Sequence, residues 1–214
     1  MKLSEVNNII VTGGTGFVGS YLVERLLETD DFSIVVVDNN FSYDVLPEEV
    51  KSRVRIEKQD IRDLETVEKI FDEIKPEICF HLAAIHFIPY CNKHPNEVVD
   101  VNIRGTSNIQ FLCNKYYSNI IQTSTAAVYA PADFPHSENS TIDPPGIYGY
   151  SKMVNEYTLG VHFKDNLKEL LGVNARLFNV YGTRDLNPHV IPEIMQQMKK
   201  QSKSETISLE LGNI

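Results

Sequence analysis

One short stretch near the start of the chain, residues 8–19, constrains the fold more than any other. It reads Asn-Ile-Ile-Val-Thr-Gly-Gly-Thr-Gly-Phe-Val-Gly, so an apolar run meets glycines at 13, 16 and 19. The backbone of such a turn bends tightly and approaches a charged ligand, because no Cβ intervenes. A helix over the amphipathic run that follows directs free N–H groups and the positive end of its dipole at that ligand. The stretch predicts a strand, a turn and a helix that bind a pyrophosphate.

Apolar runs of strand length alternate with helical patterns along the rest of the chain. Strands are predicted at 9–11, 32–37, 54–57, 77–82, 119–124 and 173–178, and helices at 18–27, 64–74, 98–113, 148–161 and 187–200. Loops are predicted at 41–51, around Pro89 and at 130–146, and a further strand at 205–211. This alternation implies an α/β fold with a doubly wound (Rossmann) parallel sheet, strand order 3-2-1-4-5-6. A ligand is expected at the switch point between the first and fourth strands.

The composition disfavours several classes of partner. Asp plus Glu number 29 against 20 Lys plus Arg, and this net charge of −9 disfavours binding to nucleic acid or to an anionic membrane. No apolar run approaches the roughly 20 residues that span a bilayer, and the N-terminus lacks the apolar core of a signal peptide. We therefore expect a cytoplasmic protein with no metal site, whose three cysteines are reduced thiols.

Asp38 ends the second predicted strand, about 20 residues after the glycine turn, where dinucleotide-binding folds place the acceptor for a ribose hydroxyl. Its carboxylate would accept a hydrogen bond from an adenosine 2′-OH and repel a 2′-phosphate, and no Arg follows it directly. The cofactor predicted from these residues is NAD rather than NADP. A capped turn with a surface Asp is the alternative, but the strand and helix around the glycines favour the dinucleotide.

Tyr148 and Lys152 are four residues apart, so they share one face of the predicted helix. A phenol has a pKa near ~10 and is a poor base at neutral pH. The Lys152 ammonium, a positive nicotinamide and the helix N-terminus would each favour the phenolate. The Pro-Pro-Gly turn at 144–146 places Tyr148 in the first helical turn. Both residues are predicted to be catalytic, and a surface Tyr/Lys pair is the alternative.

Motifs in a fixed order along the chain carry a resemblance to a known family. The Gly-x-x-Gly-x-x-Gly spacing resembles that of the extended short-chain dehydrogenase/reductases, the NAD-dependent nucleotide-sugar epimerases and dehydratases. The resemblance runs from Ile9 to about Val190. It also includes Asp60-Ile61, His81-Leu82-Ala83-Ala84, Asn102, Gly105-Thr106, Tyr148-Gly149-Tyr150-Ser151-Lys152 and Arg176-Leu177-Phe178-Asn179-Val180-Tyr181-Gly182.

The resemblance implies a cofactor site spread over the strand ends. Asp60 and Ile61 would flank the adenine, and Asn102 would brace the loop after the fourth strand. His86 falls near the nicotinamide ribose, where some members have a lysine, and an exposed loop histidine is the alternative. The cofactor-binding residues expected are Gly13, Thr15, Gly16, Phe17, Val18, Asp38, Asn39, Asn40, Asp60, Ile61, Leu82, Ala83, Ala84, His86, Asn102, Thr123, Tyr148, Lys152 and Phe178.

The resemblance also implies two contacts to a sugar nucleotide. Thr125 takes the position of the catalytic Ser/Thr, whose hydroxyl bonds the sugar oxygen that Tyr148 deprotonates. Ser124 is the alternative if the register shifts by one residue. Asn179 matches the Asn that contacts the substrate diphosphate.

Residues Ala126 and Ala127 narrow the expected chemistry. The 4,6-dehydratases of the family have Asp-Glu at these positions, which supply the acid and base for loss of water. Alanine side chains cannot move protons, so dehydration is disfavoured. The expected function is an NAD-dependent nucleotide-sugar epimerase of the 4-epimerase type, acting by transient hydride transfer through a keto-sugar. The alternatives are an NAD-dependent nucleotide-sugar reductase or dehydrogenase, and an NAD-binding protein without catalysis.

The resemblance further implies two domains and a homodimer. Residues 1–179 would form the NAD-binding domain with the catalytic residues, and 180–214 the incomplete start of a substrate domain. The helix after Pro95 and the helix of Tyr148 would pair with a second copy. Met153, Leu159 and Val161 suit such an interface, but they suit a core equally.

Overall fold

The computed structural model of the chain describes residues 6–29, 31–39, 44–133, 135–164, 169–201 and 208–210. Its strands are β1 (Asn8–Thr12), β2 (Ser33–Asp38), β3 (Arg55–Lys58), β4 (Ile78–His81), β5 (Asn119–Thr125) and β6 (Gly172–Leu177). All of them run parallel in one sheet, in the order β3-β2-β1-β4-β5-β6. The predicted fold class and strand order are confirmed.

Helices connect the strands: α1 (Phe17–Thr29), α2 (Glu48–Lys51), α3 (Leu64–Ile74), α4 (Ile88–Lys93), α5 (Pro95–Val98), α6 (Thr106–Tyr116), α7 (Ile147–Phe163) and α8 (Val190–Lys200). The loop predictions around Pro89 and over the described end of 41–51 are wrong, because α4 and α2 form there. Proline is tolerated at a helix start, where its missing N–H has no intrahelical partner in any case. Pro47 is the N-cap of α2, and Pro89 lies in the first turn of α4.

The helix predicted after Pro95 contains a wider turn than the sequence pattern indicates. A π-helical segment, Val99–Gly105, joins α5 to α6, and the residues at both junctions keep right-handed helical backbone angles. One continuous helix therefore runs from Pro95 to Tyr116. Such π-helical turns occur frequently at functional sites.

Apolar layers cover both faces of the sheet, because successive side chains of a strand point to opposite sides. On β1, Ile10 packs in a layer with residues of α3, α6 and α7. Its neighbours Ile9 and Val11 pack in a second layer with residues of α1 and α2. The two layers bury β1 and leave the carboxyl ends of the strands at one edge of the sheet.

The chain divides into two units, Met1–Phe178 and Asn179–Ile214. In the second unit, the side-chain amides of Gln197 and Gln201 on α8 bond the backbone of residues 208 and 210. Of the strand predicted at 205–211, residues 208–210 form no strand, and the others lie outside the described residues. Every helix in the described ranges is too short or too polar to span a bilayer. The assignment of the units to cofactor and substrate binding stays a prediction.

We expect Gly19→Ala to destabilise the first unit by about 1–3 kcal/mol or more. A Cβ at Gly19 would lie 2.2 Å from the Gly13 carbonyl oxygen and 2.7 Å from the Cα of Gly14. Because both are backbone atoms of the glycine turn, neither moves without distorting it. Urea unfolding followed by circular dichroism measures the change.

Gly160 provides the matched control, since it also lies within a helix but a Cβ there meets nothing within 4 Å. Gly160→Ala is expected to raise the unfolding free energy by roughly 0.5–1 kcal/mol, because alanine loses less backbone entropy on folding. Equal unfolding midpoints for the two variants would contradict the close contact assigned to Gly19.

Candidate active site

The glycine turn after β1 packs directly on the turn after β4. Gly13 has a φ of +71°, and a Cβ on it would lie 2.7 Å from the backbone nitrogen of Ala83. A Cβ on Gly16 would instead touch only the Gly13 carbonyl oxygen, at 3.4 Å. Helix α1 begins immediately afterwards, at Phe17, and has no acidic residue in its first turn. The turn therefore fits a pyrophosphate, which the helix N-terminus attracts.

The carboxylate of Asp38 is held beside this turn by Thr15. Its Oδ2 accepts hydrogen bonds from the Thr15 hydroxyl at 2.8 Å and from the Thr15 backbone N–H at 3.2 Å. The side chain of Thr15 is fully buried, so the contact is protected from water. Asp38 thus lies at the end of β2 with a fixed orientation. The neighbouring Asn40 lies outside the described residues.

Asp60, which follows β3, lies next along the carboxyl edge of the sheet. It accepts hydrogen bonds from the Arg62 side chain at 2.7 and 3.0 Å and from the Asn39 amide at 2.7 Å. The hydrogen bonds from Arg62 are the main reason that the pKa of Asp60 is lowered to about 2. Ile61 is buried against Gly105, so its side chain belongs to the core.

A buried chain of hydrogen bonds supports the end of β4. The His81 ring bonds the hydroxyl of Thr12 at 2.6 Å and that of Thr106 at 2.8 Å. Thr12 Oγ1 in turn accepts from the backbone N–H of Ala83 at 3.3 Å. Burial, with a smaller effect of the Lys152 charge, lowers the pKa of His81 to about 3, so the ring is neutral. Sequence reasoning missed these contacts, because Thr12, His81 and Thr106 are far apart along the chain.

Asn102, in the π-helical segment, holds the loop after β4. Its Oδ1 accepts from the backbone N–H of Ile85 at 2.8 Å, and its Nδ2 donates to the Ile85 carbonyl at 2.9 Å. Nδ2 also donates to the hydroxyl of Ser151, at 3.1 Å. Asn102 therefore connects the β4 loop to α7, the helix with Tyr148 and Lys152. His86, one residue beyond Ile85, is exposed.

Tyr148 and Thr125 meet where α7 packs on the end of β5. The Thr125 side chain lies close enough to the Tyr148 hydroxyl to influence its pKa. Thr125 Oγ1 also accepts from the backbone N–H of Ala127, in the 3-10 turn Ala126–Val128 that follows it. A Cβ on Gly149 would lie 2.3 Å from the Ala127 carbonyl oxygen, so only glycine allows this approach. Ser124, the alternative to Thr125, points to the other side of the strand and bonds Glu156.

Lys152 lies one turn further along α7 and is buried, with 2% of its surface exposed. Its ammonium donates to the Thr123 carbonyl at 2.9 Å, and burial lowers its pKa to about 8. Burial also raises the pKa of Tyr148 to about 12, although the Thr125 side chain opposes this rise. In the protein without NAD, desolvation therefore outweighs the favourable contact, and the expectation that Lys152, a nicotinamide and the helix N-terminus together favour the phenolate stays a prediction.

The remaining predicted residues lie at the same edge or in the second unit. Phe17 and Val18 are half-buried in the first turn of α1, and Leu82 and Ala84 are half-buried after β4. Phe178, the last residue of the first unit, is exposed, with its ring 6.4 Å from that of Tyr129. Asn179 begins the second unit. Binding by these side chains stays a prediction.

Comparison with known proteins identifies the family. The model of the NAD dependent epimerase/dehydratase family matches residues 9–212. The chain belongs to this family. The resemblance stated from the motifs is confirmed, and NAD, predicted from Asp38, is the cofactor of the family.

Relatives of more than one activity are similar to the chain. The UDP-glucose 4-epimerase of Lacticaseibacillus casei is 32% identical over 199 residues, covering 88% of this chain and 59% of that protein. UDP-glucuronic acid decarboxylase 6 of Arabidopsis thaliana is 29% identical over 182 residues, covering 82% and 51%. The UDP-glucose 4-epimerase of Thermotoga maritima, solved with UDP-glucose, has a TM-score of 0.81 at 30% identity, covering 90% and 63%. The chain thus spans between half and two-thirds of the length of these relatives.

The buried ammonium of Lys152 predicts a specific pH dependence of stability. Its pKa of about 8 in the folded protein lies below the ordinary 10.5, so the unfolded chain binds more protons between these values. Stability conferred through this group therefore rises as the pH increases through that window. Relative to Lys152→Met, the unfolding free energy of the wild type should increase by roughly 3 kcal/mol from pH 8 to 10.5.

Urea unfolding of both proteins at several pH values, without NAD, measures this difference. Lys199→Met, at an exposed position on α8, controls for the removal of a lysine charge. Parallel pH profiles for the wild type and Lys152→Met would show that Lys152 is not desolvated.

Proposed function

We propose that the chain carries the NAD-binding and catalytic part of a nucleotide-sugar epimerase of the 4-epimerase type. The observation that carries this proposal is the placement of Tyr148 beside Thr125, with buried Lys152 one helical turn away. This placement brings a proton acceptor close to a hydroxyl that orients a substrate oxygen. The carboxyl edge of the sheet beside them fits a dinucleotide, at the glycine turn and Asp38.

Each catalytic side chain has a distinct proton or hydrogen-bonding role. NAD, when bound, would supply the hydride acceptor for oxidation of the sugar and the hydride donor for its reduction. Thr125 bonds the sugar hydroxyl and directs its proton towards the Tyr148 oxygen. The positive charge of Lys152, one helical turn from Tyr148, would favour the phenolate together with the positive charge of the nicotinamide. Tyr148 then returns the proton to the keto oxygen as the alcohol reforms.

Ala126 and Ala127 favour epimerisation over dehydration. Elimination of water needs a second acid and base next to Thr125, and methyl groups provide neither. Decarboxylation, the activity named for one relative, remains the second candidate. It also begins with oxidation of the sugar, and loss of CO₂ from the resulting β-keto acid needs no further protein base. The substrate distinguishes the two reactions, because only a uronic acid has the leaving carboxylate.

The proposed substrate is a nucleoside diphosphate sugar, with UDP favoured because relatives were solved with UDP-glucose, UDP-glucuronic acid and UDP. We assign the diphosphate contact to Asn179, in the second unit. The chain spans only part of its relatives, so its own turnover is part of the proposal. A reductase that exchanges its cofactor and a protein that only binds NAD are the alternatives.

Incubation of the chain with NAD and a panel of UDP-, GDP-, CDP- and dTDP-sugars, including uronic acids, tests the proposal. We expect an epimer of one UDP-sugar without net accumulation of NADH, because the hydride returns to the substrate. Chromatography of the sugars and absorbance at the NADH band measure the two outcomes. Stoichiometric NADH would favour a dehydrogenase, pentose with CO₂ a decarboxylase, and bound NAD without turnover the binding-only alternative.

Tyr148→Phe should abolish this turnover, by about 10²-fold or more, while the dissociation constant of NAD changes little. The substitution removes only the hydroxyl that accepts the proton. Calorimetric titration of NAD and single-turnover assays separate the two effects. Tyr150→Phe, two residues away and exposed, is the matched control and should retain turnover. Activity in Tyr148→Phe would refute the assigned role.

We also propose that the chain forms a homodimer through the continuous helix 95–116 and α7. Apolar side chains are exposed on both, including Val99 and Phe111 on the first and Tyr157 and Val161 on the second. Tyr157 has 75% of its surface exposed, which is high for a large aromatic residue. Of the residues first considered for this interface, Leu159 is buried in the core.

Val161→Glu should raise the dimer dissociation constant by at least about 10-fold, because a carboxylate would be desolvated without a partner. Val190→Glu is the matched control, since Val190 is equally exposed, at 59% against 58%, but lies on α8. Sedimentation velocity over a range of concentrations measures both. A monomeric wild type at every concentration would refute the proposal.

A further inference from the structure

An ion pair near the proposed active site does not include any of the proposed catalytic residues, Tyr148, Thr125 and Lys152. Arg176, on β6, donates from Nε to Glu156 Oε1 at 2.9 Å and from Nη2 to Oε2 at 2.6 Å. Glu156, on α7, has 9% of its side chain exposed, and Arg176 has 20%. The two parallel hydrogen bonds fix the orientation of both planar groups. The pair thus joins the catalytic helix to the last strand of the sheet.

One side chain before Thr125 and one after it reach this pair. Ser124, immediately before Thr125, donates its hydroxyl to Glu156 Oε1 at 2.5 Å. Tyr129, after the 3-10 turn that Thr125 caps, bonds Arg176 Nη1 through its hydroxyl at 3.0 Å. The guanidinium carbon also lies 5.0 Å from the centre of the Tyr129 ring. The side chains of Ser124 and Tyr129 therefore attach the backbone before and after Thr125 to the same ion pair.

The same arginine holds the loop that leads from Thr125 to Tyr148. Nη1 of Arg176 donates to the backbone carbonyl of Glu138 at 2.9 Å. The His136 ring stacks on Tyr129, with ring centres 4.5 Å apart. Because Glu156 lies two helical turns after Tyr148, the pair contacts both the strand end that carries Thr125 and the helix that carries Tyr148.

A second ion pair, between Arg55 and Glu73, lacks these additional contacts and serves as a comparison. Arg55 on β3 also makes two parallel bonds to a carboxylate, that of Glu73, at 2.6 and 3.1 Å. Both partners are exposed, at 42% and 60%, and the further bond of Arg55 is to Glu57, on the same strand. Exposed pairs contribute little to stability, typically about 0.2–1 kcal/mol. The buried position and the additional contacts distinguish Arg176 and Glu156.

We propose that Arg176 and Glu156 are positioning residues, which hold Thr125 beside Tyr148 through Ser124 and Tyr129. Their effect on turnover rests on the proposed function, whereas their effect on the position of Thr125 beside Tyr148 does not. A displacement of about 1 Å at a reacting group can cost 10²-fold in rate. Loss of the pair should therefore reduce kcat more than it raises KM.

Carbon-13 NMR of protein labelled at the tyrosine ring carbon that bears the hydroxyl tests the proposal without any substrate. Tyr148→Phe identifies the Tyr148 resonance, and Thr125→Val gives its position when no Thr125 hydroxyl lies beside it. In the NAD complex, Arg176→Met should move the resonance at least half of the way to the Thr125→Val position. Arg176→Lys, which keeps the charge but not the two parallel bonds, should produce a smaller displacement.

Arg55→Met is the matched control and should leave the Tyr148 resonance in place. In the turnover assay, Arg176→Met should lower kcat about 10- to 100-fold with an NAD dissociation constant close to that of the wild type. If the wild type turns over none of the sugars, the proposed function fails, but the NMR result still decides the role of the pair.

A folded, NAD-binding Arg176→Met protein with an unmoved Tyr148 resonance would overturn the proposal. If that variant does not fold, the double variant Ser124→Ala, Tyr129→Phe replaces it. It removes the two attachments and leaves the ion pair of Arg176 and Glu156 intact. The same displacement of the Tyr148 resonance is expected, and its absence would refute the positioning role.

Discussion

The contact between the turn after β1 and the turn after β4 is the constraint on which the site depends. Gly13 and Ala83 approach so closely that no side chain fits at Gly13. The hydrogen bond from Ala83 to Thr12, and the neutral His81 ring behind it, fix this approach from the core side. Because the sheet is parallel and doubly wound, the same edge also receives the ends of β2, β3 and β5. One close packing contact thus fixes the position of the predicted cofactor-binding edge relative to the proposed catalytic residues.

Polar groups in the interior make this frame rigid. Buried His81, Asn102 and Lys152 each have hydrogen-bond partners, and an unpaired group at such positions would cost about 1–3 kcal/mol. Their bonds link β1 to β4, the β4 loop to α7, and α7 to β5. The apolar layers supply the driving force for folding, but these bonds select the relative positions of the strand ends.

Local patterns in the sequence predicted most of the fold and part of the site. The apolar runs, the glycine turn and the Tyr148–Lys152 spacing are properties of short segments, so they were readable directly. The short helices at Pro47 and Pro89 were not, because proline both ends and begins helices. The contacts of His81 and of Arg176 with Glu156 join residues that are distant along the chain. The raised pKa of Tyr148 depends on burial, which a sequence pattern does not measure.

The close packing of Gly149 against the 3-10 turn restricts which part of the reacting complex can move. A Cβ would overlap the Ala127 carbonyl there, so α7 and the β5 end are in direct backbone contact beside Tyr148. The acid–base group therefore has little freedom to swing between two faces of a ring. In the epimerisation proposed here, the protein is the stationary part of the reaction, and the sugar must rotate to present its second face. A substrate pocket matched to that motion needs room around the hexose and a firm hold on its diphosphate.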